Sequence, residues 1–310
     1  MKYYLGLDVG GTSVKGVLID ESGKVLADGN VPTGCAYGGD NMCKNIGELC
    51  AGLQNRASVK ASAAGVGSAG MIGEDGSVVF AGNLGLKNYP LAQTLSAVLG
   101  MPVKVTNDAN AAALGEAAFG AGKAYRDSVF ITLGTGVGGG IIIDGKLFEG
   151  GKKAGAEVGH MTVEYGGEYC TCGRRGCFEA YASATALIKS TRKAMEEDAG
   201  SAMWHTYNLE TACGKTAFDY YDTDYSAKKV VDRYVDYLAC GIINLVNIFR
   251  PQVIILGGGV AAQGERLTAP LQKKLDASIF GGQEYAPVKI VTATLGNLAG
   301  SLGAAKLVLE

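Results

Sequence analysis

Three cysteines and a histidine lie close together in the sequence: Cys170, Cys172 and Cys177 follow His160 within one loop-length. Three sulfurs and one imidazole nitrogen make a donor set that suits tetrahedral Zn²⁺. A closed set of four leaves no coordination position for a reacting water, so a metal there would fix a loop. The alternative is a group of free thiols. The glycines at 173 and 176, between Cys172 and Cys177, supply the turn this ligand spacing needs and favour the metal. Cys35, Cys43, Cys50, Cys213 and Cys240 show no such grouping and read as ordinary core or surface thiols.

A second chemistry is written twice. Residues 5–20 read LGLDVGGTSVKGVLID and residues 129–144 read VFITLGTGVGGGIIID. A shift of 124 positions lays Gly10 on Gly134, Gly16 on Gly140, and the apolar run 17–20 on 141–144. Each copy is an apolar strand, a loop of small residues and a second apolar strand. That is the pattern of a hairpin whose turn lets backbone N–H groups close around an anion. In the first copy Asp8, Gly10, Gly11 and Thr12 follow a strand, so amides can approach phosphate oxygens without a Cβ in the way, and Asp8 can hold Mg²⁺ directly or through water. Thr135 and Gly136 would do the same from the second copy. One glycine-rich turn is more often structural than functional. Two related ones, facing each other across a cleft, would grip a polyphosphate from both sides and indicate a nucleotide-dependent enzyme of two lobes.

The elements that must position these loops alternate along the chain. Strands are expected at 2–7, 16–19 and 24–27. A helix at 41–55 carries Met42, Ile46, Leu49 and Leu53 on one face, and a strand at 63–66 runs into the glycine turn 67–70. A helix at 91–99, a strand at 103–106 and an alanine-rich helix at 109–119 complete the first half. The second half repeats the plan with strands at 129–133 and 141–143, then departs from it at the cysteine loop 170–177 and a helix from 178 to about 195. Residues 196–226 lack clear periodicity and read as an insertion. Apolar spacing predicts a long buried helix over 229–249, stopped by Pro251, and a strand at 253–256 leads into Gly257, Gly258 and Gly259. A strand at 288–292 and a helix at 298–309 close the chain. The class is therefore α/β, with a first lobe over 1–117, a second over 118–297, and the helix at about 298–310 packing back on the first.

With 310 residues the chain has the length of two domains of about 150 residues each. A net charge of −2 argues against a large nucleic-acid footprint. No apolar run approaches the roughly 18 residues a bilayer span needs. The opening MKYYLGLDVGG has no signal-peptide pattern, so a cytoplasmic location is the default. The eight cysteines are then expected as reduced thiols, some of them metal ligands.

Three glycine-rich sites, at 8–12, 134–136 and 257–259, resemble those of the actin-like ATPase superfamily of sugar kinases. That resemblance implies a two-lobed, duplicated ribonuclease H-like fold with a central cleft, in which the third loop, with Gly258 and Gly259, lies beside the adenosine. A narrower likeness comes from Glu157-Val158-Gly159-His160, from the run 170–179 (CTCGRRGCFE), and from 107–116 (NDANAAALGE). Together these resemble the ROK family of repressors, open reading frames and sugar kinases, and the resemblance extends from Asp8 to the GSLGAA run at 300–305.

The resemblance implies an ATP- and Mg²⁺-dependent kinase that phosphorylates the 6-hydroxyl of a hexose, glucose or a related sugar such as an N-acetylhexosamine, with structural Zn²⁺ and a homodimeric state. It makes Asp108 the catalytic base. Asn83, Asn107 and the turn at 67–70 would hold ring hydroxyls, with Glu157 and Glu179 accepting hydrogen bonds near the anomeric end. His160 would reach a hydroxyl while a metal anchors its loop. Asp108 stands where strand gives way to helix, so amides there are expected to keep it ionised. The bland reading is that Asn107 or Asp108 simply caps that helix. Two departures bear on which hexose is used: Ala69-Gly70 where glucokinases of the family often carry Pro-Gly, and Asn88-Tyr89 where they often carry Asn-Trp. Some family members are sugar-responsive DNA-binding regulators with a helix-turn-helix ahead of the first glycine loop. The position of Asp8 leaves no room for one, and no DNA partner is expected.

Overall fold

The computed structural model describes residues 1–309, and in it the two related segments lie in two sheets of the same strand order. The first sheet is built from β1 (Tyr3–Val9), β2 (Ser13–Asp20), β3 (Val25–Pro32), β4 (Ala63–Ser68) and, further along, β8 (Val103–Asn107), in the order β3-β2-β1-β4-β8. Between them β5 (Met71–Ile72), β6 (Val78–Ala81) and β7 (Leu86–Tyr89) form a small separate sheet. The second large sheet has β9 (Ser128–Leu133), β10 (Val137–Ile143), β11 (Lys146–Phe148), β12 (Val253–Gly257) and β13 (Lys289–Thr292), in the order β11-β10-β9-β12-β13. Strands β1, β2 and β3 pair antiparallel, as do β10 and β11, whereas β1–β4, β4–β8 and β12–β13 are parallel. The ends of β1 and β9 (Val9, Leu133) and the starts of β2 and β10 (Ser13, Val137) are each 124 positions apart, the offset read from the sequence.

Nine helices are assigned among the described residues: α1 (Gly39–Ala57), α2 (Leu91–Leu99), α3 (Asp108–Phe119), α4 (Glu179–Ala182), α5 (Ala184–Glu197), α6 (Thr216–Asp219), α7 (Tyr225–Phe249), α8 (Glu265–Ser278) and α9 (Ala299–Lys306). The chain divides into two compact units. One holds Met1–Phe130, Gly140–Ala156 and the chain from Thr294 onward; the other holds Ile131–Gly139 and Glu157–Ala293.

In the first unit the core lies between the sheet and α1 and α2. Leu5, Leu7, Val14 and Leu18 meet Met42, Ile46, Leu49, Leu53, Leu91 and Leu95, all buried. Helix α9 reaches β1 and β4 at backbone distance. An added Cβ on Gly6 would run into the carbonyl oxygen of Ser301, and one on Gly65 into that of Ala304. Gly115 of α3 and Gly303 of α9 likewise leave no room for side chains between those two helices. This explains the small-residue composition of 299–305, since a helix axis can come this close only where Cβ atoms are missing. The carboxylate of Glu116, fully buried, accepts from the amides of Ala121 (2.9 Å), Thr294 (3.0 Å) and Leu295 (2.8 Å), so its charge is held by backbone donors.

Several elements differ from expectation. The predicted helix from 178 is broken at Ser183, whose hydroxyl accepts from Ala186 N–H (3.1 Å) and starts α5 afresh. Helix α8 was not anticipated because Pro270 sits inside it and masks the spacing of Leu267, Leu271 and Leu275, its buried stripe. The small sheet β5–β7 was also missed, its strands being two to four residues long. The long helix begins at Tyr225, four residues earlier than predicted, because Asp224 caps it through Ala227 N–H (2.8 Å). The same carboxylate accepts from Ser201 Oγ (2.7 Å) and so orders part of the 196–226 insertion.

Candidate active site

In the first unit, the β1–β2 turn is held from beneath by residues the sequence did not point to. Gly10 N–H closes the turn on Ser13 O (3.1 Å), while the amides of Gly11 and Thr12 have no partner among the described residues. Thr33 Oγ1 donates to Gly10 O (2.6 Å), Thr33 N–H to Thr12 O (3.0 Å), and Cys35 Sγ to Gly11 O (3.3 Å). Gly11 packs on the backbone of Asn83, where an added Cβ would stand 3.2 Å from the Asn83 carbonyl oxygen. Asn83 itself is exposed, in the 3₁₀ turn Gly82–Leu84 beside the loop.

Asp8 comes off β1 opposite Lys15, and Gly300 of α9 leaves the space its carboxyl occupies. Burial raises the Asp8 pKa; Lys15 opposes the shift and Asp108 adds to it. Asn107, not Asp108, is the cap of α3. Its Oδ1 accepts from Ala109 N–H (2.9 Å) and Asn110 N–H (3.3 Å), and its Nδ2 donates to Gly70 O (3.1 Å). Asp108 is thereby left as the first residue of the helix, with Oδ1 accepting Ala109 N–H at 2.9 Å. Helix-start amides do reach the carboxylate, as the sequence suggested, but they do not set the direction of its shift. Burial is the largest influence and raises its pKa, outweighing the amides of Ala109 and Asp108 and the side chain of Asn107. A carboxylate raised in this way is a better proton acceptor than one at the ordinary value.

The two departures noted in the sequence have distinct surroundings. Gly70, at φ 102, presents its carbonyl to Asn107. Tyr89 packs against Gly39 and donates its hydroxyl to Asp40 (2.7 Å), so its ring supports the start of α1.

In the second unit the β9–β10 turn is a tighter copy, with Gly134 N–H bonded to Gly136 O (3.0 Å). Its carbonyls are held by the start of α5: Ala184 N–H donates to Gly134 O (2.8 Å) and Thr185 Oγ1 to Thr135 O (2.8 Å). The amides of Thr135 and Gly136 have no partner among the described residues. Gly258, at φ 82, packs on Leu133, where an added Cβ would lie 2.5 Å from the carbonyl oxygen, bringing the third glycine loop against the second. Glu157 is exposed and precedes the 3₁₀ turn Val158–His160, whose Gly159 rests on the carbonyl of Val137. Glu179, the first residue of α4, reaches back to accept Val137 N–H through Oε2 (3.0 Å).

His160, Cys170, Cys172 and Cys177 do converge, with their ligand atoms all within 4.8 Å of one another. Cys172 Sγ is 3.6 Å from Cys177 Sγ, and Cys170 Sγ is 3.8 Å from His160 Nδ1. Tetrahedral ligands about 2.3 Å from a Zn²⁺ stand nearly this far apart, so the donor set fits the metal by chemistry and by spacing. Hydrogen bonds and turns within the loop help to shape it. Cys170 N–H donates to Arg174 O (2.8 Å), Gly173 and Gly176 take positive φ, and Arg174 donates to His160 O (3.1 Å) and Thr162 Oγ1 (2.9 Å). We expect zinc, at about one per chain, to be lost with Cys172→Ser, and sugar affinity to fall about tenfold with it. Elemental analysis finding no zinc in the parent protein would end this assignment.

The sequence profile of the ROK family matches residues 4–310. The chain belongs to the ROK family. This ROK protein is 37% identical, over 99% of its length and 97% of the relative's, to a glucokinase of Thermotoga maritima. It is 36% identical, over 100% of its length and 96% of the relative's, to a glucokinase of Halalkalibacterium halodurans. Among solved structures, a ROK family glucokinase from Streptomyces griseus in complex with glucose and AMPPNP matches it with a TM-score of 0.82 and 33% identity, covering 98% of each chain. The fold of this ROK protein is accordingly the duplicated α/β, actin-like ATPase fold.

Proposed function

We propose that the protein is a glucokinase-type hexose kinase that transfers the γ-phosphoryl group of ATP to the 6-hydroxyl of glucose. End-to-end likeness to glucokinases supports the activity. The observation that carries the mechanism is Asp108, half-buried at the first turn of α3 and relieved of capping by Asn107. As the bond from the sugar oxygen to phosphorus forms and the bond to ADP breaks, the hydroxyl proton passes to Asp108 Oδ. Asn83, Asn107, Glu157, His160 and Glu179 orient the sugar hydroxyls. Asn107 Nδ2, which donates to Gly70 O, is fixed beside Asp108, and the Glu157 carboxylate is exposed.

The free amides of Gly11, Thr12, Thr135 and Gly136 take phosphate oxygens, while Gly10 shapes the first turn and Gly258 and Gly259 line the nucleoside. Asp8 would hold Mg²⁺, which when bound neutralises charge on the β- and γ-phosphates. Zn²⁺ on His160, Cys170, Cys172 and Cys177 would hold the sugar-facing loop; with a cation on Nδ1 of His160, the ring proton belongs on Nε2, a donor for a hydroxyl. A cytoplasmic homodimer without a DNA partner completes the reading, supported by the family resemblance and the near-neutral charge. Among the described residues no helix is long and apolar enough to cross a membrane.

The test is ADP release with Mg-ATP across glucose, mannose, fructose and N-acetylhexosamines, with the product's phosphate position read by NMR. Sugar-dependent turnover giving a 6-phosphate is expected, with glucose preferred. Sugar binding without turnover would mark a sensor or scaffold. The pH profile supplies a second check. Asp108 must be unprotonated to act and its pKa is raised, so the acid limb of kcat/KM should lie above the ordinary aspartate value of about 3.9. A profile flat down to pH about 4 would remove Asp108 as the base.

A further inference from the structure

Glu179 carries two sets of contacts at once, and they face different machinery. Through Oε2 it accepts the Val137 amide at 3.0 Å and lies against Gly136, where an added Cβ would collide with that oxygen. Through Oε1 it takes Thr171 Oγ1 at 3.5 Å, and the same oxygen stands 3.6 Å from Cys170 Sγ. One carboxylate therefore joins the cysteine loop to the β9–β10 turn, 42 positions away along the chain. Its own placement is firm: Phe178, fully buried, precedes it, donates N–H to Met161 O (2.8 Å) and packs against Gly241.

We propose that Glu179 is a positioning residue for the nucleotide loop, through which the state of the Cys170, Cys172, Cys177 and His160 site sets nucleotide affinity even when no sugar is bound. This rests on the nucleotide role given above to Thr135 and Gly136. The turn is held at the carbonyls of residues 134 and 135 by α5 and at the amide of residue 137 by Glu179 alone. An amide bonded to a carboxylate is the strongest of these contacts. Releasing it frees the segment whose amides must stay aimed at phosphate. A metal cross-linking residues 170, 172 and 177 keeps Thr171 beside Oε1. A metal-free loop depends on its few internal bonds, and the carboxylate recovers its rotamer freedom.

The experiment is calorimetric titration of Mg-AMP-PNP without sugar, on the wild type and Glu179→Ala, each zinc-loaded and chelator-stripped, with folding checked by circular dichroism. Nucleotide affinity should fall about tenfold on stripping the wild type and about tenfold in loaded Glu179→Ala, the value of one charge-assisted hydrogen bond. Stripping Glu179→Ala should then cost nothing further. Unchanged affinity in Glu179→Ala, or equal losses on stripping both proteins, would overturn the proposal. If Glu179→Ala does not fold, Thr171→Val and Glu179→Gln decide: each should lose affinity several-fold while keeping the metal ligands, and wild-type affinity in both overturns it. A change confined to glucose binding leaves Glu179 a sugar ligand only and also overturns it. Wild type that binds no nucleotide refutes the kinase reading itself, a result distinguishable from all of these.

Discussion

Asp108→Asn should lower kcat by about 10³-fold, within the range a positioned general base contributes, while glucose binding stays within a few-fold of wild type. The amide keeps the shape and the acceptor oxygen that meets Ala109 N–H at 2.9 Å and loses only the capacity to take a proton. The variant should also be at least as stable as the parent at neutral pH. The folded-state pKa of Asp108 is raised above its unfolded value. Its contribution to stability is therefore fully present below the unfolded pKa and is lost as pH rises through the folded one. At pH 7 the ionised carboxylate is a burden that asparagine lifts, a trade of stability for activity common at catalytic positions. Steady-state turnover, glucose titration and a thermal melt on one preparation check all three expectations. Retained turnover would assign the base elsewhere, and a large fall in melting temperature would make the loss structural.

Gly65→Val should have the largest effect on folding. The added side chain would meet the carbonyl of Ala304, a backbone group that cannot rotate away. Separating α9 from β4 should cost about 3 kcal/mol or more. For a unit of this size that corresponds to a fall in melting temperature of about 10 °C. Gly52→Ala is the matched control. It lies inside α1 with nothing within 4 Å of an added Cβ, so it should raise stability by about 0.5–1 kcal/mol. Differential scanning calorimetry of the pair would show opposite signs. A small shift for Gly65→Val would mean that α9 is not seated on the sheet.

The hairpins were legible because each is local: glycines between two apolar runs specify strand, turn and strand within sixteen residues, and the repetition at 124 positions removed the ambiguity of either alone. Likewise the cysteine loop spans few residues, so spacing constrains geometry. What escaped was non-local or masked. Nothing near Glu179 in sequence marks its bond to Val137, nor does anything near Thr33 mark its grip on Gly10. The choice of cap between Asn107 and Asp108 depends on one backbone conformation: Asn107 is extended, with φ −66 and ψ 152. The dominance of burial over amides at Asp108 is a property of the packed surroundings, which no pattern of residue types encodes.

Because α9 lies over β1 and β4, and Thr294 and Leu295 donate to Glu116, the unit that contains the first glycine turn is finished only by residues made nearly three hundred positions later. On the ribosome, strands β1, which carries Asp8, and β4 would wait with a bare glycine face until 299–306 emerges. A chain that ends before 299–306 therefore lacks the α9 contact that completes the surroundings of Asp8.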